Sequence, residues 1–336
     1  MAKILILFHL LSVLSSPVIN TGEHQDYEFY HQQVIKAETL IASENYSEAL
    51  LLYEQLFNDY NFIFLREYQV ASQLALYAND IKKSLEYIKQ GVISGWKIKS
   101  IKKNEYLTAL FKDEGWKSIE KEYPKLQQQY ESKLNQNIRE QVKEMYAKDQ
   151  KKALKALFRF SSKAQDKYAE HKFAPHSEHQ MAKFSAILES KGYPGEKLIG
   201  NSTWMSTILS HHNSISADYN KKDTIYPMLQ PRLMDAIKKG QMSPYEYIVI
   251  DDWYRTVTYD RKEVTYGVLD PPSSSDLSNT NDLRGKFCVR PCVVRVRLGG
   301  SLGVCGVSFG RGVGGVGVGW CLGGFFVRRR VCVGVW

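Results

Sequence analysis

The run ILSHHNSIS (208–216) sets two of the chain's eight histidines beside an asparagine. An imidazole next to a carboxylate can serve as a general base toward water or a hydroxyl, provided a neighbour fixes its tautomer. His211 follows Trp204 by seven residues and Ile208 by three, and His212 follows Ile208 by four. On a helical period at least one ring therefore turns inward beside Trp204. The acids that could meet it are Asp149, Asp251 and Asp252. Asp149 follows Met145 by four and Val142 by seven, which puts a carboxylate on an apolar stripe. Burying a charge is costly unless it is paired, so Asp149 is expected either at an exposed helix end or against a partner. Asn213, Gln150 and Trp204 complete the set as binding candidates. His176 and His179, three apart in APHSEHQ, would add a pair with metal-ligand spacing, although a polar run of this kind also reads as a solvated turn. The same residues admit a purely structural reading, in which Asn213 caps the last turn and the histidines bond neighbouring acids. Structural, binding and catalytic roles all stay open on these residues.

Familiar chemistry is otherwise absent from the body of the chain. It has no nucleophile elbow, no HExxH pair, no phosphate loop and no cysteine before residue 288. GRGVGG (310–315) fits a dinucleotide-loop pattern, but it lies in a glycine-rich run with no following βαβ unit. CVRPC has no second thiol pair at zinc spacing. No cofactor is expected.

The elements that must position the histidines begin after an N-terminal leader. Residues 1–20 show one lysine, an apolar run from Ile4 to Leu14 and small residues after it, which is the layout of a secretory signal peptide. The run is shorter than the ~20 residues a membrane helix needs. An exported chain, periplasmic or extracellular, is therefore expected, with no membrane span after cleavage. From Gly285 to Trp336 the composition collapses to glycine, valine, arginine and cysteine, and holds all five cysteines. Eight of the 45 lysines and arginines lie there and none of the 36 acids, so the body is close to neutral. The excess positive charge is a property of this tail and gives no nucleic-acid footprint. Such a residue set is what a G/T-rich stretch yields in another reading frame, and a frameshift near residue 285 is expected. The tail is read as disordered or artefactual.

Between Tyr27 and Tyr123 the chain reads as helical, with no proline. LIASENYSEALLLYEQLF (40–57) and LALYANDIKKSLEYIKQGV (74–92) align at an offset of 35 residues, with Ala49 or Ser84 in the small position and Tyr53 or Tyr87 after it. The two segments resemble the tetratricopeptide repeat, whose period is ~34 residues, although the usual glycine before the turn is missing. Two hairpins cannot bury their faces alone, so residues 91–123 are expected to cap them through Trp96, Leu107, Leu110 and Trp116. The resemblance implies a protein or peptide partner in the array's groove, or plain structural support.

After Pro124, Leu126, Tyr130, Leu134, Ile138, Val142 and Met145 recur at three- and four-residue steps, which predicts one long helix. Further helices are expected over about 178–190, 202–212 and 227–239, the last stopping at Gly240, and a final one is expected to start at Ser243-Pro244. The runs DQ (149–150), GYPGEKLIG, ILSHHN and AIKKGQMSPYEYIVIDDW are similar to an uncharacterised bacterial family, domain-of-unknown-function family 6624, over roughly residues 138–284. That resemblance implies no chemistry. The expectation is an all-α protein: a signal peptide (1–20), a short repeat-like array with its cap (27–123), a second helical domain (124–284) and the tail (285–336). Its expected role is protein or peptide binding or structural support, with a hydrolase-type His/Asp site as the alternative.

Overall fold

A computed structural model describes residues 25–292, residues 160 and 261 apart. The leader 1–20, the Gly310–Gly315 run and Cys305, Cys321 and Cys332 lie outside the described residues. Among the described residues every regular element is helical and there is no strand. No helix among them is long and apolar enough to cross a membrane.

The first four helices make two hairpins, α1 (Tyr27–Ala42) with α2 (Tyr46–Asp59) and α3 (Leu65–Tyr77) with α4 (Ile81–Ile93). Asp26 starts α1 by accepting the amides of Glu28 and Phe29, and Asp80 starts α4 by accepting that of Lys83. Each cap satisfies amides that the first turn leaves without a helical partner. At the two turns, where a glycine is missing from the repeat pattern, Glu44 and Asn79 take φ of 63° and 60°. Ala49 and Ser84 are fully buried where the second helices approach the first. The hydroxyl of Ser84 donates to the carbonyl of Ser72 at 2.8 Å, so the polar group in the small position is satisfied inside the hairpin.

Residues beyond α4 close the array with α5 (Ile98–Ile101), a 3-10 helix (Glu105–Lys112) and α6 (Glu114–Ser132). Trp96, Leu107, Leu110 and Trp116 join Ile88 and Val92 of α4 in one apolar cluster. The long helix expected from Leu126 to Met145 is in fact two. α6 runs through Pro124 to Ser132, and α7 (Gln136–Leu157) starts afresh. Asn135 makes the break: its side chain accepts the Ile138 amide at 3.0 Å, and its own amide donates to the Leu198 carbonyl at 2.9 Å.

The second domain continues with α8 (Ser162–Tyr168), a π-helical turn (Ala169–Phe173), α9 (Ala174–Lys191), α10 (Glu196–Ile199), α11 (Trp204–Asn213), α12 (Ala217–Asn220), α13 (Ile225–Lys238), α14 (Pro244–Thr258) and α15 (Leu277–Gly285). Its core runs through Val142, Phe184, Ile208, Leu233 and Ile248, one from each of α7, α9, α11, α13 and α14. α9 starts earlier than the residue pattern predicts, so His176 and His179 sit in its first turns rather than in a solvated turn. Pro175 explains the π turn before it. It has no N–H to donate, its ring crowds the carbonyl four residues back, and a wider turn relieves both.

The array and the second domain share a seam. The Tyr27 ring lies against Gly240, the Leu65 amide donates to Glu196 at 2.6 Å, and Asn201 donates to the Ser94 carbonyl at 2.6 Å. The Tyr245 hydroxyl reaches Glu38 of α1 at 2.6 Å. Residues of α1 and α3 thus meet α10, α13 and α14 of the same chain. At the other end, Phe287 stacks on Tyr247 with ring centres 5.0 Å apart, and Val289 is buried in the main core. The composition break at Gly285 therefore falls inside a packed segment.

Candidate functional site

The last turn of α11 is buried on every side, and its three polar residues go three ways. His211 points at α7: its Nδ1 lies 2.5 Å from Asp149 Oδ2. Asp149 is 0% and His211 3% exposed, so the pair is cut off from bulk water. A carboxylate at Nδ1 assigns the ring proton to that nitrogen and leaves the lone pair on Nε2. That Nε2 is buried with no hydrogen-bond partner, and so is Asp149 Oδ1. Of the two expectations for Asp149, an exposed helix end or a partner, the structure shows the partner, His211, 62 residues away in sequence.

Two more groups, Phe173 and His176, gather at this end of α9. Phe173, at the end of the π turn, has its ring centre 6.2 Å from that of His211 and 6.1 Å from that of His176. His176 is half-buried, and its Nε2 has no partner. Burial holds its imidazole below the ordinary value, while the nearby Asp149 pulls the other way. Gln150, next along α7, has a buried amide nitrogen without a partner. His179 is exposed. Among the described residues no group of three or more His, Cys, Asp or Glu could hold a metal ion, so the His176–His179 metal reading is not supported.

His212 points the opposite way and meets residues that the spacing of the sequence did not single out. Its Nδ1 is 2.9 Å from Ser177 Oγ and its Nε2 is 3.2 Å from Asp223 Oδ2. Asp223 also accepts the amides of Ile225 and Tyr226 at the start of α13. Burial pushes the Asp223 carboxyl up, but the bonds from His212 and these amides outweigh it and hold the group below its ordinary value. Serine, histidine and aspartate are the residue types of a nucleophilic relay, yet here the serine faces Nδ1 and the acid faces Nε2. Ser177 is 0% exposed, and its oxygen is taken up by the bond to His212. The Ser177–His212–Asp223 chain ties α9, α11 and α13 together and serves structure. The signal for Asp223 was its place just ahead of a helix start, in KKDTIY, where an acid usually caps.

Asn213 does not cap the last turn as the structural reading expected. Its Nδ2 donates to the Ile250 carbonyl at 2.9 Å, fastening α11 to α14, while Asn220 donates to its carbonyl at 2.8 Å. Trp204 sits at the far end of α11, against Tyr146 and under the guanidinium of Arg139. The ring beside His211 is Phe173, not Trp204.

Asp251 and Asp252, the other two acids considered for the histidines, are held elsewhere. Asp251 accepts from Tyr226 and Gln230 on Oδ1 and from Arg255 and Tyr266 on Oδ2, at 2.7 to 3.0 Å. Asp252 accepts the amides of Tyr266, Val268 and Leu269. Burial raises the Asp252 carboxyl to about 6 against those amides, with the Asp251 charge adding to the rise. Both acids anchor the segment after α14 rather than the histidine turn.

A cleft of about 470 Å³ opens on the side of Asp223, the partner of His212, and is lined by Glu170, His171, Glu178, Asp218, Tyr219 and Asp223 among others. The π turn contributes Glu170 and His171 to this cleft and Phe173 to the His211 surroundings. No protein-family model, curated protein or solved structure matches the chain.

Proposed function

We propose that the second domain carries the activity, as a hydrolase-type site in which His211 is the general base and Asp149 orients it, and that the helical array supports this domain. The observation that carries the reading is the 2.5 Å contact between His211 Nδ1 and Asp149, with His211 Nε2 buried and unpartnered. Because the pair is cut off from bulk water, this reading also requires the helices around it to open. A base so oriented then takes a proton from water or a substrate hydroxyl at Nε2, a contribution of typically ~10²–10⁴ in rate. Gln150 and His176 supply polar atoms for orienting a small polar substrate, and Phe173 supplies an apolar wall. The chain is read as an exported protein, on its leader, and its second domain as akin to family 6624, on the runs quoted above. The test is turnover of p-nitrophenyl acetate by the wild type, His211→Gln and Asp149→Asn. A loss of about 10²-fold in both variants, with helicity kept, is the expected result; equal rates in all three remove the general-base reading.

A protein-binding role for the array is the second reading. Leu51, Tyr77 and Ile81 stand 57%, 63% and 45% exposed on it, which favours a partner that covers these apolar side chains. Peptide-array binding that is lost in Leu51→Asp and Tyr77→Asp, but kept in the His211 variant, would favour this reading.

A further inference from the structure

The seam between the array and the second domain gathers four carboxylates around little positive charge. Glu38 of α1 and Glu67 of α3 are 1% and 5% exposed, and Glu67 Oε2 is buried without a partner. Arg66 is ion-paired with Glu38, and its guanidinium lies 4.8 Å from the centre of the Tyr245 ring on α14. From the second domain, Glu196 at the start of α10 accepts the Leu65 amide, and Glu246 of α14 accepts the Tyr193 hydroxyl at 2.7 Å. Neither of these two has an ion-pair partner among the described residues. Glu38 and Glu67 thus share the Arg66 guanidinium, while Glu196 and Glu246, each half-buried, lie close enough for the charge of Glu246 to act on Glu196.

We propose that this seam is a proton-sensitive latch: it holds the array against the second domain while Glu67, Glu196 and Glu246 are protonated, and it loosens when they ionise. The inference is independent of the general-base reading.

The neighbours set the direction. Burial lifts Glu67 to about 7, with Arg66 lowering it and Glu38 raising it. Burial likewise lifts Glu196 to about 8, against the Leu65 amide, with Glu67 and Glu246 adding to the rise. Glu246 goes to about 7 by burial, against the bonds from Tyr193 and Ser206. Other cations that face the seam are Arg290, whose charge acts on Tyr245, Lys197, which lies over the rings of Tyr27 and Phe62, and Lys238 of α13, which is 3.6 Å from Glu28 of α1. His31 of α1, hydrogen-bonded to the Ile237 backbone, is held down to about 4 by burial and so stays neutral above that value. Burial also pushes up the phenols Tyr30, Tyr53, Tyr193 and Tyr245, which stay neutral as well. A carboxyl raised in the closed state contributes stability below its ordinary value, and that contribution is lost as pH rises through the raised one. The latch is therefore tightest near and below the ordinary carboxylate value of 4.5, weakens as pH rises above it, and has lost this contribution once pH passes about 7 to 8.

Hydrogen exchange on the full chain at about pH 6 and about pH 9, corrected for the intrinsic rate, tests the latch. The expected result is that α1, α3 and α13 lose protection at least about tenfold more than α7 and α9, the factor carried by one unit of pKa difference. Glu67→Gln with Glu196→Gln should remove this excess. Glu246→Gln, which keeps an acceptor for Tyr193, should reduce it and serves if the double variant does not fold. An excess equally large in the variants, or loss of protection in all helices together with loss of far-ultraviolet helicity, overturns the proposal.

Discussion

At Asp251 one carboxylate receives four hydrogen bonds, from Tyr226, Gln230, Arg255 and Tyr266. Cutting it to Asp251→Ala leaves those donors facing one another inside the protein with a guanidinium uncompensated. Breaking a buried pair in this way costs about 3–5 kcal/mol, and a urea titration of Asp251→Ala should show a loss of that order. A loss below about 1 kcal/mol, the range of exposed pairs, would mean the network is not holding the segment after α14. The contrast with His211 marks what single residues disclose in a sequence. Asp149 was legible because its helical period put a charge on an apolar stripe, and physics then demanded a partner. His211 was legible because it falls on the inner side of its own helix. Asp223 and Ser177 were not, because their contact with His212 depends on how three helices converge. The same holds for Asp251 and Asp252: their type suggested company for an imidazole, and only the packing shows that tyrosines, an arginine and backbone amides reached them first.

Among the elements, starts and stops followed local chemistry. Gly192 and Gly240 end α9 and α13 with φ of 86° and 63°, and Ser243 with Pro244 opens α14. Two features escaped the residue pattern for one reason: a break inside a continuous stripe leaves the periodicity intact. Asn135 divides α6 from α7 without disturbing the apolar face, and the π turn before α9 inserts its extra width where the sequence shows only a polar run. Gly240 tests how far an element end is tied to the seam. A Cβ there would lie 2.4 Å from the Tyr27 ring, on a backbone that disfavours any side chain. Gly240→Ala must both strain the turn and push Tyr27 off α13, and overpacking typically costs ~1–3 kcal/mol. Thermal melting should show Gly240→Ala destabilised by about that amount. A variant melting with the wild type would place the Tyr27 contact outside the cooperative unit.

For the whole molecule, the question is where the cooperative body stops. Composition sets the limit at Gly285, while packing carries the body on to residue 292. Arg284 is 1% exposed and donates through Nε to the Arg290 carbonyl at 2.7 Å and through Nη1 to that of Tyr266 at 2.7 Å. Phe287 covers the rings of Tyr247 and Tyr266, and the Cys292 amide donates to Asn281 at 2.8 Å. Tyr266 is also a donor to Asp251, so the segment after Gly285 braces the network that anchors α14. Ending the chain at Arg284 would uncover two aromatic rings, delete the buried Val289 and leave a guanidinium short of an acceptor. Val289 is 1% exposed, and burying a valine side chain fully is worth about 1.5–3 kcal/mol. The half-buried Phe287 adds to it, so a chain ended at Arg284 should unfold at clearly lower urea than one ended at Cys292. Equal midpoints would show instead that the body is complete at the composition break, and that Phe287 and Val289 contribute nothing to its stability.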